Sequence, residues 1–201
     1  MANDHSPTPT TADGAADSAV PLCVDLDGTL IYSDLLWESL AVLRKRNFLY
    51  LLMVPVWFLR GRAYLKREVA RRATIDPARL PYIPAFVDFL RAEKKRGRRL
   101  LLVSASERML VDKVAAHVGL FDEVLASDGR TNLRGRAKCA ALVVKFGQGG
   151  FDYAGNSYVD VPVWAGARKI IVVNAPAALV RQMRATGRVA AEFLRTGNKL
   201  D

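Results

Sequence analysis

Residues 20–34 read VPLCVDLDGTLIYSD. The run opens with five apolar residues, ends in two carboxylates, Asp25 and Asp27, and turns at Gly28–Thr29. An apolar run of this kind is a strand buried on both faces, as in parallel sheets covered by helices. Side chains two apart on a strand point the same way, so Asp25 and Asp27 converge at its C-terminal mouth while Leu26 faces the opposite side. In open α/β sheets that mouth is where ligands bind.

Two carboxylates held close together need a cation or a shared proton to relieve their repulsion. A hard divalent ion does this most simply, and Mg2+ accepts one or two carboxylates together with substrate phosphate oxygens. Asp25 is then a candidate nucleophile on phosphorus, and Asp27 a candidate general acid and base. Acids at a strand end can also do no more than cap a turn. The fully apolar strand before the pair, and Gly28, Thr29 and Leu30 after it, favour a site.

DLDGTL, residues 25–30, resembles the first motif of the haloacid dehalogenase superfamily of phosphohydrolases, which carries three more motifs in fixed order. Residues 99–106, RLLLVSAS, form a second apolar strand that ends in hydroxyl residues. Ser104 and the backbone N–H groups after it, beginning at Ala105, suit phosphate oxygens, and Ser104 matches the second motif by resemblance. Gly28 and Thr29 join these as phosphate-binding candidates. A helix begins near Arg136 and carries Lys138 in its first turn, where a cation is electrostatically misplaced. The resemblance makes Lys138 the third motif, a catalytic lysine bracing the nucleophile and the transferring phosphoryl group. GFDYAGNSYVDVPVW, residues 150–164, supplies the fourth motif. The superfamily has G-D-x-x-x-D there, the first acid on Mg2+ and the second supporting the metal shell. This chain has Asn156 at the first position and keeps Asp160 at the second. An amide oxygen still coordinates a hard cation, but one negative charge is lost. The implied metal set is Asp25, Asp27 through its backbone carbonyl, Asn156 and Asp160.

Between the first two motifs, Ser33 or Asp34 can cap a helix through 35–47. The apolar block FLYLLMVPVWFL, residues 48–59, contains Pro55 and is bracketed by Arg44, Lys45 and Arg46 before it and Arg60, Arg62, Lys66 and Arg67 after it. A membrane span needs roughly 20 apolar residues, so the block is too short to cross. It reads equally as an interfacial segment with basic flanks and as the core of a small helical cap. FDEVLAS (121–127) and RKIIVVN (168–174) are further strands, and amphipathic helices fill the intervals. His117 in the last turn of one of them reads as a surface or cap residue.

The chain has 201 residues, is 51% hydrophobic and carries a formal net charge of +10, which suits polyanionic, phosphorylated or anionic lipid partners without choosing among them. No zinc knuckle, helix-turn-helix or aromatic stacking platform accompanies the charge, so nucleic acid is not expected. Cys23 and Cys139 have no metal spacing and read as reduced core residues. Residues 1–19 lack a signal-peptide pattern and read as a disordered tail, His5 included. The expected location is the cytoplasm, including the inner face of the membrane.

The expected fold is therefore α/β, a Rossmann-like parallel sheet of about five strands with helices on both faces. Its core spans 20–32 and 86–190, with a helical cap over 33–85 and a C-terminal tail or linker over 191–201. In finer wording the chain resembles the haloacid dehalogenase-like domain that precedes membrane-embedded UbiA-type prenyltransferases. That resemblance implies a Mg2+-dependent phosphatase working through an aspartyl-phosphate on a phosphorylated small molecule or a polyprenyl-linked phosphosugar. It also implies a prenyltransferase partner. The alternative is a catalytically weak phosphate-binding or membrane-docking module. The apolar block offers a surface for homo-oligomers.

Overall fold

The apolar run before Asp25 is β1 (Leu22–Val24), an inner strand whose side chains are all buried. The computed structural model describes residues 18–128 and 130–194. Five strands join β1: β2 (Leu100–Glu107), β3 (Glu123–Ser127), β4 (Asp152–Gly155), β5 (Ile170–Val173) and β6 (Val189–Phe193). Every pairing is parallel, in the order β3-β2-β1-β4-β5-β6. The chain winds outward from β1 to β3, then crosses back to β4 on the other side of β1. The strand order reverses between β1 and β4, and at such a switch point the adjoining loops part and leave a crevice.

Three helices follow β1, namely α1 (Leu35–Arg46), α2 (Leu49–Leu59) and α3 (Arg62–Arg72). The rest, α4 (Pro84–Lys95), α5 (Arg108–Val118), α6 (Arg136–Phe146), α7 (Val161–Gly166) and α8 (Ala177–Arg184), connect the strands. The strand alternation divides the core in two. Leu22, Val24, Leu100, Leu102, Ile171 and Val173 face α4 and α5, packing on Phe86, Leu90, Val111 and Val114. Cys23, Leu101, Val103, Ile170 and Val172 face α6, α7 and α8, packing on Leu142, Trp164, Leu179 and Val180. This is the α/β class expected from the strand pattern. Cys23 and Cys139 are free thiols, and burial pushes the Cys23 thiol up to about 12.

The sheet has one strand more than the five read from the sequence. β6, VAAEF, lacks the branched apolar run that marks the others, because an edge strand pairs on one side only and is half-exposed. It crosses the border drawn between core and tail at residue 190. Residues 195–201 of the expected C-terminal tail lie outside the described residues, as do 1–17 of the N-terminal tail with His5, while Ser18 and Ala19 form a helical turn.

Helices α1–α3 pack on one another around Leu43, Trp57, Leu65, Val69 and Ala73. Of the two candidate caps for α1, Asp34 does the capping, accepting from the Leu36 N–H at 2.8 Å. Helix α2 runs through Pro55 and forgoes the backbone bond that residue cannot donate. His117 stacks on Tyr82 with ring centroids 5.9 Å apart.

At the N-terminal ends of the strands a buried charge network ties the sheet to α4. The Arg98 guanidinium donates to Glu93, to Asp152 and to the Val20 carbonyl, and Arg168 donates to both Asp152 oxygens. Asp152 and Arg98 are both almost fully buried. Arg98→Met leaves Glu93 short of one partner and Asp152 short of another, and the expected loss is about 3–5 kcal/mol of stability. Urea denaturation measures it, and a loss below about 1 kcal/mol would refute the assignment.

Candidate active site

At the C-terminal end of β1 the chain turns sharply, with Gly28 at φ 78°, and delivers Asp25 and Asp27 to the crevice. A cavity of about 440 Å³ opens there. Its wall includes Asp25, Asp27, Gly28, Ala105, Lys138, Asn156 and Asp160 from the core, and Leu36, Trp37, Arg62 and Lys66 from α1 and α3.

Asp25 is buried, and its two oxygens have different partners. The Lys138 ammonium donates to Oδ1 at 2.5 Å, and the Thr29 hydroxyl lies 3.4 Å from Oδ2. Oδ2 is therefore the less constrained oxygen. Burial pushes the Asp25 carboxyl up to about 7 against the pull of Lys138, and the Asp160 and Asp27 carboxylates add to the rise. Lys138, in the first turn of α6, also donates to the Tyr153 hydroxyl at 2.9 Å, and Tyr153 donates to Asp160 Oδ1 at 2.9 Å. A buried tyrosine hydroxyl needs a partner. Here it links the lysine to the carboxylate behind it.

Asp27 is held by a second set of donors. Its Oδ1 accepts from the Leu35 N–H, the first residue of α1, at 2.8 Å. Its Oδ2 accepts from the Ser106 hydroxyl at 2.7 Å and the Ser104 hydroxyl at 3.2 Å. Burial raises the Asp27 carboxyl and Asp34 adds to it, while the Leu35 N–H and Ser106 oppose them. The acid is thus tied both to the start of α1 and to the end of β2.

Two predicted phosphate-binding residues stand behind the cavity wall. Ser104 is fully buried, accepts from the Ser106 N–H at 2.9 Å and faces Asp27. Thr29 is fully buried and faces Asp25. Ala105 and Gly28 do reach the wall. The Ala105 carbonyl accepts from the Lys66 ammonium at 2.7 Å, and burial lowers the basicity of that lysine.

The donor set suits Mg2+. Asp160 is fully engaged, with Oδ2 accepting from the Asn156 N–H, the Ser157 N–H and the Ser157 hydroxyl, each at 3.1 Å, so it braces the loop. Asn156 lies so close to Gly28 that a Cβ there would meet its side-chain nitrogen at 2.1 Å. Asp25 Oδ2, the Asp27 carbonyl and the Asn156 amide then supply oxygens only. Among the described residues no group of three or more His, Cys, Asp or Glu side chains forms a cage. Those oxygens fit a hard cation that keeps several waters and takes substrate oxygens. Gly28→Ala forces a Cβ into Asn156 at a left-handed backbone angle. Its expected effect is a lower melting temperature, equivalent to about 1–3 kcal/mol, read by calorimetry.

The roles of Tyr153, Ser106, Lys66, Arg62 and Arg134 were not legible beforehand. Tyr153 sits mid-strand in a run that reads as apolar core. Ser106 follows Ser104 by two and so shares its side of the strand; that spacing was the available signal. Arg62 and Lys66 come from the basic flank of the apolar block, some 40 residues from β2 in sequence, and Arg134 from the loop before α6; all three line the cavity.

A family model described as haloacid dehalogenase-like hydrolase matches residues 22–164. The uncharacterized protein y4nM of Sinorhizobium fredii (strain NBRC 101917 / NGR234) is 36% identical over 173 residues, which cover 85% of this chain and 33% of that protein. The chain spans about a third of the length of that relative. Among solved structures, a protein of unknown function from Bordetella pertussis Tohama I superposes with a TM-score of 0.61 at 18% identity, covering 86% of this chain and 97% of the other. Phosphoserine phosphatase superposes in its substrate-bound complex with a TM-score of 0.57 at 14% identity, over 88% and 93% of the two chains. Its phospho-aspartyl intermediate analogue gives 0.55 at 14% identity, over 89% and 94%. These structures share the fold.

Proposed function

The chain belongs to the haloacid dehalogenase-like hydrolase family, and on that premise we propose that it hydrolyses phosphate monoesters through a phosphorylated Asp25. The observation that carries the reading is Asp25 itself, at the end of an inner strand and on the cavity wall, with Oδ1 held 2.5 Å from Lys138. Oδ2 attacks phosphorus in line as the bond to the leaving oxygen breaks, and Asp27 supplies the proton that the leaving alkoxide takes. Asp27 then takes a proton from the water that attacks the aspartyl-phosphate, which releases inorganic phosphate and restores both carboxyls. Lys138 balances charge on the phosphoryl oxygens and keeps Asp25 oriented, with Tyr153 and Asp160 fixing its direction. Ser104 and Ser106 act through Asp27, holding its carboxylate in place.

Mg2+ held by Asp25, the Asp27 carbonyl and Asn156 would neutralise charge on the nucleophile and the transferring group. Phosphate release is expected to stop when the protein is treated with EDTA and to return with added Mg2+. Undiminished turnover after chelation would remove the metal from the proposal.

The substrate we propose is a phosphorylated small molecule or a lipid-linked phosphosugar. Arg62, Lys66 and Arg134 on the cavity wall support an anionic substrate, and Leu36 and Trp37 support one with an apolar part. A prenyltransferase partner belongs to the same proposal and rests on the sequence resemblance; the relative's greater length leaves room for a further domain there. Asn156 favours a second reading, a phosphate-binding regulatory module with little turnover, because an amide adds no negative charge to the metal site. Assay of phosphate release from phosphorylated sugars with Mg2+ separates the two. Phosphate binding without release supports the second.

A further inference from the structure

Helix α2 is apolar from end to end, LYLLMVPVWFL, yet only one side of it is covered. Trp57 is buried, and Tyr50 and Val54 pack with it against α1 and α3. On the other side Leu49, Leu52, Met53, Val56 and Leu59 recur at helical spacing and are all exposed, Leu52 by 66% and Leu59 by 86%. A helix that is hydrophobic all round is normally buried all round, and a contiguous exposed apolar face marks a contact with something else.

The charge around that face identifies its partner. From residue 39 to residue 67 the chain carries seven Lys and Arg and no Asp or Glu. Arg44, Lys45 and Arg46 close α1, and Arg60 follows α2, all exposed. A second copy docked face to face would bring the exposed Arg44, Lys45, Arg46 and Arg60 toward the same four cations, which disfavours self-association. No described helix is long and apolar enough to cross a membrane. Apolar side chains collared by cations fit the boundary of an anionic bilayer, where the side chains enter the acyl region and the cations meet lipid phosphates.

We propose that the exposed face of α2, with its collar of arginines and lysines, docks the protein peripherally on an anionic lipid surface. Helices α1 and α3, which hold α2, also wall the active-site cavity through Trp37, Arg62 and Lys66. The surface that meets lipid and the wall that meets substrate thus belong to the same three helices. The docking is independent of the phosphatase reading.

The test is co-sedimentation of the whole chain with phosphatidylcholine vesicles, plain or mixed with phosphatidylglycerol. The protein is expected to bind the mixed vesicles, to release as salt rises, and to leave plain ones largely free. Arg44→Gln with Lys45→Gln removes two surface charges and is expected to weaken binding about 30-fold. Leu52→Ser with Leu59→Ser is expected to abolish it. Both variants keep the wild-type circular dichroism, and phosphate release from a soluble monoester is measured alongside, so loss of docking and loss of catalysis are read separately. Three results would overturn the proposal: no binding of wild type to mixed vesicles, equal binding by wild type and both variants, or a wild-type dimer that the serine variant disperses without any vesicle binding.

Discussion

Asp25→Asn is expected to bring phosphate release down to the uncatalysed background, a loss of at least about 10³-fold. An amide cannot form the acyl-phosphate bond, while its shape still fills the space between Lys138 and Thr29. The same substitution makes a second, separable measurement possible. Burial pushes the Asp25 carboxyl up to about 7, well above the ordinary carboxylate value of 3.8. At low pH, folded and unfolded chains both hold the proton, so Asp25 adds no pH dependence. Between the two values the folded state keeps a proton that the unfolded state has lost, and stability falls as pH rises. The deficit is complete above about 7. The melting temperature of Asp25→Asn minus that of wild type, both with EDTA, should therefore increase from pH 5 to pH 8. A flat difference would mean that the carboxylate is not held at this cost, and residual turnover well above background would remove Asp25 as nucleophile.

Asp27→Asn is expected to lower kcat by about 10²–10⁴-fold with little change in KM, because proton transfer is lost while the binding surface remains. The amide oxygen can still accept from the Leu35 N–H, so the tie between α1 and the end of β1 survives. Both half-reactions use this group in the proposed scheme. Acid-quenched mass spectrometry should then find phosphorylated protein whenever the leaving group is good enough to depart without help. Wild-type kcat in the variant would transfer the acid-base role elsewhere, and a raised KM at full kcat would make Asp27 a binding group.

Much of the site is local in sequence, which is why it was legible. Asp25, Asp27 and Gly28 occupy one strand end, and Asn156 and Asp160 one loop, so strand periodicity and motif order sufficed to bring them to one crevice. Lys138 stood out because a cation in the first turn of a helix opposes the helix dipole. Ser104 shows where this reasoning stopped. A hydroxyl at a strand end could face either the ligand or a neighbouring acid, and the positions of Asp27 and Ser106 decide that it faces the acid.

The amino-acid order alone determined the α/β class and the burial of the strand ending at Asp25, because buried strands and helix periods are properties of neighbouring residues. It did not reveal β6, whose short side chains suffice at a sheet edge. Only the folded chain decided that Tyr153 joins Lys138 to Asp160, that Lys66 of α3 reaches the Ala105 carbonyl, and that α2 keeps one apolar side uncovered. Those contacts join residues far apart along the chain or select one face of a helix that is apolar on every side. Chain order carries no signal for either, since hydrogen bonds and burial depend on where the backbone brings side chains together.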